Sequence, residues 1–254
     1  MSNIQLAIFI SKTSVSIAEV FRSNQTIHWQ KDFELLESNA EGYRTQLTKI
    51  FSELDLSSEY SDYSLAWSSP KQALIPLTLF NESTSVDLYH LLFGDTVDAN
   101  MIDFSRLMEL SMVSIYEIPD WVKSFFVIKF PTIVFKHEHA ITLRALFQKN
   151  TFNRKVIISV CDDYINLAVI QHNELKFSNT FECQTADDIV YHVLYVIEKE
   201  KLNTEKGELF FLYSNVKTLN AVQAAQNTIK NLHKLGSLAL TEADSSIKLQ
   251  TLCV

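Results

Sequence analysis

Two apolar strands joined by a polar turn are predicted by NIQLAIFISKTSVSIAEV, residues 3–20. The first strand covers 4–10 and the second covers 15–20, because β-branched and large apolar residues, which favour strands, fill both runs. The turn between them, residues 11–14, is made of serine, lysine and threonine. The segment therefore predicts a tightly connected β-hairpin.

The elements that follow the hairpin extend it into a unit of four strands and one helix. Alternating polar and apolar residues predict a third strand over 27–33, and a 3.6-residue period predicts a helix over 39–56. A short apolar run then predicts a fourth strand over 63–67. The predicted order is strand, strand, strand, helix, strand.

The same order of elements returns in the second half of the chain. Strands are predicted over 155–161, 164–170, 175–183 and 209–213, with a helix over 186–201 before the last of them. In the second strand of each copy, Val15, Ile17, Ala18 and Val20 correspond to Ile165, Leu167, Ala168 and Ile170, 150 residues later. The pattern predicts an α/β protein with an internal duplication, its first lobe over residues 1–152 and its second over 153–254.

Three further segments carry predictions that bear on function or on the boundaries of the lobes. A helix over 120–130 presents Trp121, Phe125 and Phe126, which form either an exposed docking patch or part of the buried core. Thr218 is predicted to cap a helix that runs to residue 235, and residues 247–252 are predicted to form a closing strand.

Charge and composition exclude several classes of function. The chain carries 22 Lys and Arg against 30 Asp and Glu, a net charge of −8, and no basic run, so nucleic acid is not an expected partner. We expect no membrane span and no secretory signal, because no apolar window reaches 18 residues and no basic segment precedes the first apolar run. The three cysteines lack metal-ligand spacing and favour a reducing, cytoplasmic location.

The duplicated unit resembles the actin-like ATPase superfamily, and the hairpin of residues 3–20 looks like the opening of such a domain. YEIPDWVKSFF, residues 116–126, and KFPT, residues 129–132, are similar to an uncharacterised Bacteroidetes family of small actin-like proteins. The resemblance implies an α/β fold of two similar ribonuclease H-like lobes in an actin-like ATPase arrangement. Its motifs are structural, so it implies a fold more than an activity.

The resemblance also implies where a nucleotide would bind, namely at the two hairpin turns. Such turns typically place an Asp before glycines, because backbone N–H groups must approach phosphate oxygens closely. The chain has 4 glycines where about 7% usage would give roughly 18, and neither turn contains one. The remaining nucleotide-binding candidates are Ser11, Lys12, Thr13, Ser14, Asp162 and Asp163, and the alternative is that both are ordinary polar turns.

Other candidate chemistry is sparse. His137, Glu138 and His139 place two imidazoles two residues apart, but no third ligand follows at metal-site spacing, and we expect no metal site. No P-loop, dinucleotide fingerprint or nucleophile elbow is present. No catalytic residue is assigned and no cofactor is expected, ATP with Mg²⁺ being suggested only by the resemblance.

These observations predict a non-catalytic actin-like protein that serves as a scaffold or binds another protein, with an eroded nucleotide site. The glycine count and both turns favour this interpretation. The alternative is a nucleotide-binding actin-like ATPase with glycine-free phosphate loops, for which Asp162 and Asp163 are the residue-level support. A third interpretation is a small-molecule sensor that uses the cleft between the lobes.

Overall fold

The computed structural model describes residues 3–56, 60–94, 96–147, 153–232 and 235–252. The chain divides into two compact units, and the division falls inside one helix. Unit 1 runs to Ile141 and also includes the segment from Ile247 onward, whereas unit 2 runs from Thr142 to Ser246. The lobe boundary between residues 152 and 153 stays a prediction, because residues 148–152 lie outside the described part.

The first part of the chain alternates strands with helices and contains the elements of unit 1. In chain order they are β1 (Ile4–Ile10), β2 (Ser14–Phe21), β3 (Thr26–Glu34), α1 (Ala40–Ser52), β4 (Asp62–Trp67), β5 (Gln72–Pro76), α2 (Ser85–Phe93), β6 (Ile102–Leu107), β7 (Met112–Glu117), α3 (Asp120–Lys129), β8 (Val134–His137) and α4 (Glu138–Phe147). The predicted hairpin, its third strand and the helix after it are confirmed.

The main sheet of unit 1 has the strand order β3-β2-β1-β4-β8. β2 is antiparallel to β1 and β3, whereas β4 is parallel to β1 and β8. The central strand β1 is almost continuously apolar because it is buried, while the outer strand β3 alternates between exposed and half-buried residues. Leu6, Ile8 and Ile10 share a core with Leu47 of α1 and Phe126 of α3.

A smaller antiparallel sheet, with the order β5-β7-β6, lies between β4 and α3 in the chain. It has a core of its own with α2, formed by Ile75, Tyr89, Val113 and Ile115. The sequence predicts neither β5 nor β6. Both are short and carry mixed polar and apolar residues, so neither shows a clear two-residue period.

Unit 2 repeats the strand-rich opening of unit 1 and adds a longer helix. Its elements are β9 (Arg154–Val160), β10 (Tyr164–Gln171), β11 (Glu174–Glu182), α5 (Ala186–Lys199), β12 (Gly207–Tyr213), α6 (Val216–Leu232), β13 (Leu238–Leu240) and β14 (Asp244–Ser245). The strand order is β11-β10-β9-β12-β13, and β14 also pairs with β12. None of the helices in the described part of the chain is long and apolar enough to cross a membrane.

The sheets of the two units correspond strand by strand. β1 and β9 have 7 residues each, β2 and β10 have 8, and β3 and β11 have 9. The pairing of the second and third strands shifts register between Glu19 and Val20 in unit 1 and between Val169 and Ile170 in unit 2. These two irregularities are again 150 residues apart, so the sequence correspondence marks structurally equivalent positions.

Two predictions of local structure are corrected. Residues 246–252 form 3₁₀ turns and not a closing strand, because they follow β14 directly and the chain turns there to leave the sheet. Thr218 is not the cap of α6, since the helix begins at Val216 and Asn215 precedes it. The Asn215 side chain accepts the Thr218 N–H at 2.9 Å, while the Thr218 hydroxyl accepts the Asn215 N–H at 3.0 Å, a reciprocal arrangement that satisfies both donors.

The 3₁₀ turns over 246–252 return the chain to unit 1, where a buried polar network holds them. The Gln250 side chain donates to the carbonyl of Ile8 at 3.1 Å and accepts the hydroxyl of Ser64 at 2.6 Å. Gln5 donates to the same Ser64 hydroxyl at 2.6 Å. All three side chains are buried, so these hydrogen bonds replace water that the interior excludes.

Candidate functional site

The first turn, Ser11–Ser14, joins β1 to β2 and is closed by the hydroxyl of its own first residue. Ser11 Oγ accepts the N–H groups of Thr13 at 3.1 Å and Ser14 at 3.0 Å. The Ser11 N–H in turn donates to the Ser14 carbonyl at 2.9 Å. Because a phosphate loop presents its N–H groups to the ligand, a turn that binds two of them internally is poorly suited to hold phosphate.

The same turn is fixed from outside by an aromatic pair. The Tyr43 hydroxyl donates to the Lys12 carbonyl at 3.0 Å, and the Tyr43 ring stacks on Trp121 with centroids 4.2 Å apart. Burial, followed by the negative charge of Glu37, raises the pKa of Tyr43, so its hydroxyl keeps its proton and remains a donor. The Lys12 side chain itself is exposed.

The second turn, Cys161–Tyr164, has the same backbone hydrogen bonds as the first. The Cys161 N–H donates to the Tyr164 carbonyl at 2.9 Å, as Ser11 does to Ser14. The residue that follows the third strand also bonds back to the turn, Leu35 to Thr13 at 2.8 Å and Cys183 to Asp163 at 2.9 Å. The two turns therefore have the same backbone geometry at equivalent positions of the two units, but different side chains.

The side chains of the second turn tie it to the junction between β12 and α6. Asp162 is half-buried, and its Oδ1 accepts the Asn215 amide at 3.1 Å, whereas Asp163 is exposed. Asn215 was not identified from the sequence. Its signal is the spacing Asn215-x-x-Thr218 directly after a strand, which is a helix-start pattern.

A small cavity of about 50 Å³ lies beside Asp162. Thr185, Lys217 and Thr218 are among its lining residues, so one cation and two hydroxyls lie near the carboxylate. A water molecule occupies about 30 Å³ of liquid, and pockets for small molecules usually exceed about 300 Å³. The cavity can hold water beside Asp162, but it has no room for a nucleoside.

Nucleotide chemistry therefore does not fit the candidate residues of unit 1 and fits those of unit 2 only in part. The first turn lacks a glycine, and two of its N–H groups are bonded to Ser11. The second turn offers a carboxylate that could reach a cation through water, but it too lacks a glycine. Within the described residues, no cluster of three or more His, Cys, Asp or Glu side chains could hold a metal ion.

Cys161 and Cys183 are buried free thiols that line the cavity beside Asp162. Burial and the nearby charge of Asp188 raise the pKa of Cys183 to about 11, so it stays a neutral thiol at physiological pH. Its Sγ lies 3.4 Å from the carbonyl of Thr185 and donates to it. The third cysteine, Cys253, lies outside the described residues.

The two histidines considered for metal binding lie where β8 passes into α4, and both are fully buried. Burial lowers the pKa of His137 to about 3, with a smaller effect from His139, and lowers the pKa of His139 itself to about 4. His137 Nε2 lies 2.9 Å from the carbonyl of Ser69 and donates to it, and His137 Nδ1 accepts the N–H of His139 at 3.2 Å. Both nitrogens of His137 are thus used within the protein, which leaves neither for a metal ion.

The aromatic residues of α3 divide between the two interpretations that the sequence left open. Trp121 and Phe126 are buried in the core of unit 1, while Phe125 is partly buried against that core. The exposed apolar residues of this helix are Val127 and Ile128. The structure therefore supports the buried interpretation for Trp121 and Phe126, and the residues of this helix that face solvent are aliphatic.

Comparison with solved structures confirms the α/β class and the actin-like ATPase fold. A Bacteroides thetaiotaomicron protein with actin-like ATPase fold and unknown function is similar at a TM-score of 0.75 and 22% identity, covering 98% of this chain and 95% of that chain. The PilM-PilN type IV pilus biogenesis complex is similar at a TM-score of 0.57 and 9% identity, covering 95% and 90%. At these identities the similarity establishes the fold alone.

An enzyme with the same fold is also similar to this chain. The inorganic polyphosphate/ATP-glucomannokinase of Arthrobacter sp. strain KM has a TM-score of 0.51 and 10% identity, covering 99% of this chain and 98% of that chain. Among curated proteins, none matches the sequence significantly. The family model described as "Protein of unknown function (DUF3822)" matches residues 1–232, and the chain therefore belongs to that family.

Proposed function

We propose that this protein is a non-catalytic member of the actin-like fold that works by binding another protein, with an eroded nucleotide site. The observation that carries the proposal is the first turn, where the Ser11 hydroxyl takes the N–H groups of Thr13 and Ser14. A phosphate would have to displace this hydroxyl and gain no glycine-assisted approach in return. The proposal retains the cytoplasmic setting expected from the cysteines.

The structurally similar proteins are compatible with a scaffold role and with an enzymatic role. One similar structure is named for a complex with a second protein and another is named for a kinase, so the fold is compatible with either role. The corresponding strand lengths and the equivalent register shifts of units 1 and 2 support a duplicated ancestor with two similar turns. We infer that the two turns have since lost the composition that phosphate binding needs.

A nucleotide-binding ATPase with glycine-free loops is the second candidate. Asp162 favours it, because its carboxylate lies at the tip of the second turn beside the cavity that Lys217 lines. In this version Asp162 holds Mg²⁺ through water, and Lys217 supplies positive charge to a phosphate. The size of the cavity and the closed first turn weigh against it.

Calorimetric titration with ATP and Mg²⁺, on protein freed of bound ligand, separates the two candidates. We expect no heat up to millimolar ATP and no change in melting temperature. A bound nucleotide at about 100 times its Kd would stabilise the fold by about 2.7 kcal/mol, a shift of several degrees. Micromolar binding that is lost in Asp162→Asn and kept in the control Asp187→Asn would overturn the proposal in favour of the ATPase.

A further inference from the structure

An open groove of about 490 Å³ lies along helices α1 and α3 of unit 1. The residues that line it come from successive turns of the two helices and are Arg44, Thr48, Ser124, Phe125, Ile128 and Lys129. The groove is separate from the first turn and from the cavity beside Asp162, neither of which contributes a lining residue. It is large enough to receive side chains from a partner.

In unit 2 the corresponding pair of helices has a longer second helix. There α6 packs on α5, as α3 packs on α1 in unit 1, and each of α3 and α6 precedes the fifth strand of its sheet. α6 has 17 residues and α3 has 10. At 1.5 Å per residue, the shorter helix of unit 1 covers roughly 10 Å less of its neighbour.

The apolar side of the groove is exposed to solvent. Ile128, which lines the groove, is 83% exposed, and the residue before it in the helix, Val127, is 47% exposed, although the other face of this helix is buried. Phe125 continues this surface toward the core, where its ring lies 6.0 Å from that of Phe51. Covering these side chains would remove apolar surface from water, which favours association.

The charged side of the groove is basic, although the protein as a whole is acidic. Among the described residues that line it, the charged ones are Arg44 and Lys129, whereas the net charge of the chain is −8. Lys129 is held over the rings of Phe51 and Phe130, at 5.1 and 5.8 Å, and in the described part of the chain no carboxylate lies within 4.0 Å of it. Arg44 donates to Ser124 at 2.8 Å and lies 3.6 Å from Asp120.

We propose that this groove binds an amphipathic helix of another protein, with acidic residues beside its apolar face. A groove between two helices accepts the ridge of a third, and leucine-like side chains at helical spacing would cover Phe125 and Ile128. Acidic residues at the edge of that face would meet Arg44 and Lys129. This proposal deepens the proposed function, because it names the chemistry and the docking surface of the protein partner.

The concave shape favours a helix over an anionic membrane as the occupant. A membrane surface would contact Ile128 and Lys129 but would leave the floor of the groove, formed with Phe125, uncovered. The test therefore includes phosphatidylserine vesicles, which represent the membrane as the alternative occupant.

The probe is a fluorescent peptide of about 16 residues made of Leu, Ala and Glu, with Leu on one helical face and Glu beside it. We expect saturable binding by fluorescence anisotropy. Two peptides serve as controls, one scrambled so that its Leu residues leave the common face and one with Lys in place of Glu. Both should bind at least about 10-fold more weakly.

Matched variants of the protein locate the binding surface. Ile128→Ser and Lys129→Glu should each weaken binding about 10-fold or more. Leu91→Ser, which replaces an equally exposed leucine on α2, should leave the affinity unchanged. Since Ile128 and Leu91 are 83% and 80% exposed, both serine variants should retain the melting temperature of the native protein.

The outcomes distinguish this inference from the proposed function. The inference is overturned if the acidic peptide does not bind, if it binds the Ile128→Ser and Lys129→Glu variants equally well, or if phosphatidylserine vesicles bind through Ile128 while the peptide does not. The proposed function survives each of those results as long as ATP does not bind. Micromolar ATP binding overturns the proposed function independently of what the groove does.

Discussion

The two hairpin turns have the same backbone hydrogen bonds and differ in the hydrogen bonds that their side chains make. In unit 1, Ser11 folds its hydroxyl over the turn and satisfies the N–H groups of Thr13 and Ser14. In unit 2, the Asp162 carboxylate accepts a hydrogen bond from the amide of Asn215, at the start of α6. A side chain of the first turn therefore bonds within the turn, while a side chain of the second turn bonds to the start of a helix.

The difference shows that one backbone geometry can carry side chains with different hydrogen-bond partners. Both turns keep the bond from the first N–H to the fourth carbonyl, which the hairpin itself needs. Phosphate binding would need the remaining N–H groups as well, and a single serine hydroxyl is enough to take two of them in unit 1. Comparison of the units through mutation tests how far each half depends on its own contacts.

The largest expected effect comes from the cores of the two units. Phe126→Ala in unit 1 and Phe211→Ala in unit 2 each remove a fully buried ring and should lower the free energy of unfolding by about 3–5 kcal/mol. Urea denaturation followed by circular dichroism measures both. A loss below about 1 kcal/mol for either variant would contradict the core described for that unit.

Acid should destabilise unit 1 through its two buried histidines. Burial lowers the pKa of His137 to about 3 and that of His139 to about 4, from the ordinary 6.5, so the unfolded chain binds protons that the folded chain does not. Above pH 6.5 both histidines are neutral in the folded and in the unfolded chain, so they add no pH dependence to the free energy of unfolding. Below pH 6.5 that free energy falls as the pH drops toward 4. At pH 5 each histidine should cost about 2 kcal/mol.

Urea denaturation at about pH 7, 6 and 5 measures this dependence. His139→Gln should reduce the slope of stability against pH, whatever it does to stability at neutral pH. His172→Gln is the control in unit 2, because this histidine is exposed at a turn and should leave the slope unchanged. An identical slope in all three proteins would show that other groups control acid unfolding.

The start of β12 should not tolerate a side chain. A Cβ on Gly207 would lie 2.8 Å from the carbonyl oxygen of Arg154 and 2.9 Å from the Arg154 Cβ, and the backbone of β9 cannot move freely. Gly207→Ala should therefore lower the melting temperature by an amount equivalent to about 1–3 kcal/mol. Gly94→Ala offers a contrast, because its cost comes from a φ of +68° and not from any neighbour within 4 Å. Equal stability of Gly207→Ala and the native protein would contradict the close approach of these strands.

The smallest expected effects belong to the turns themselves. Ser11→Ala removes the acceptor of two N–H groups and should cost about 1–2 kcal/mol, whereas Asp162→Ala removes the bond accepted from Asn215 and should cost about 1 kcal/mol. Thermal unfolding of the two variants beside Lys12→Ala, whose side chain is exposed, ranks them. If Ser11→Ala matches Lys12→Ala, the Ser11 hydroxyl does not hold the first turn together.

The sequence predicts the repeated sheets well, because buried strands such as β1 and β9 are continuous apolar runs bounded by polar turns. The predicted start of α5 at residue 186 is confirmed, and Thr185 and Asp188 form a capping box there. Residues 247–252 were predicted as a strand because apolar and polar residues alternate there. Their 3₁₀ turns depend on hydrogen bonds to a segment more than 200 residues away, which no local pattern records.

The candidate site was harder to predict than the fold. Composition places the turns and shows that they lack glycine, but the orientation of one serine hydroxyl decides whether the N–H groups are available. Likewise, α3 shows its amphipathic period in sequence, but only the structure shows that Trp121 is buried while Ile128 is exposed. The fold can therefore be predicted from sequence patterns, whereas the site depends on the orientation of a few side chains, which tertiary packing determines.

The return of residues 246–252 to unit 1 has a consequence for synthesis on the ribosome. Unit 2 is an insertion in unit 1, so its residues 142–246 emerge and can fold while unit 1 still lacks Gln250. Because the ribosome adds about 5–20 residues per second, Gln250 is synthesised on the order of ten seconds or more after Ile8, whose carbonyl accepts its hydrogen bond. During that interval the buried Ser64 hydroxyl also lacks its acceptor, and the half of the protein that is made first is completed after the half that is made second.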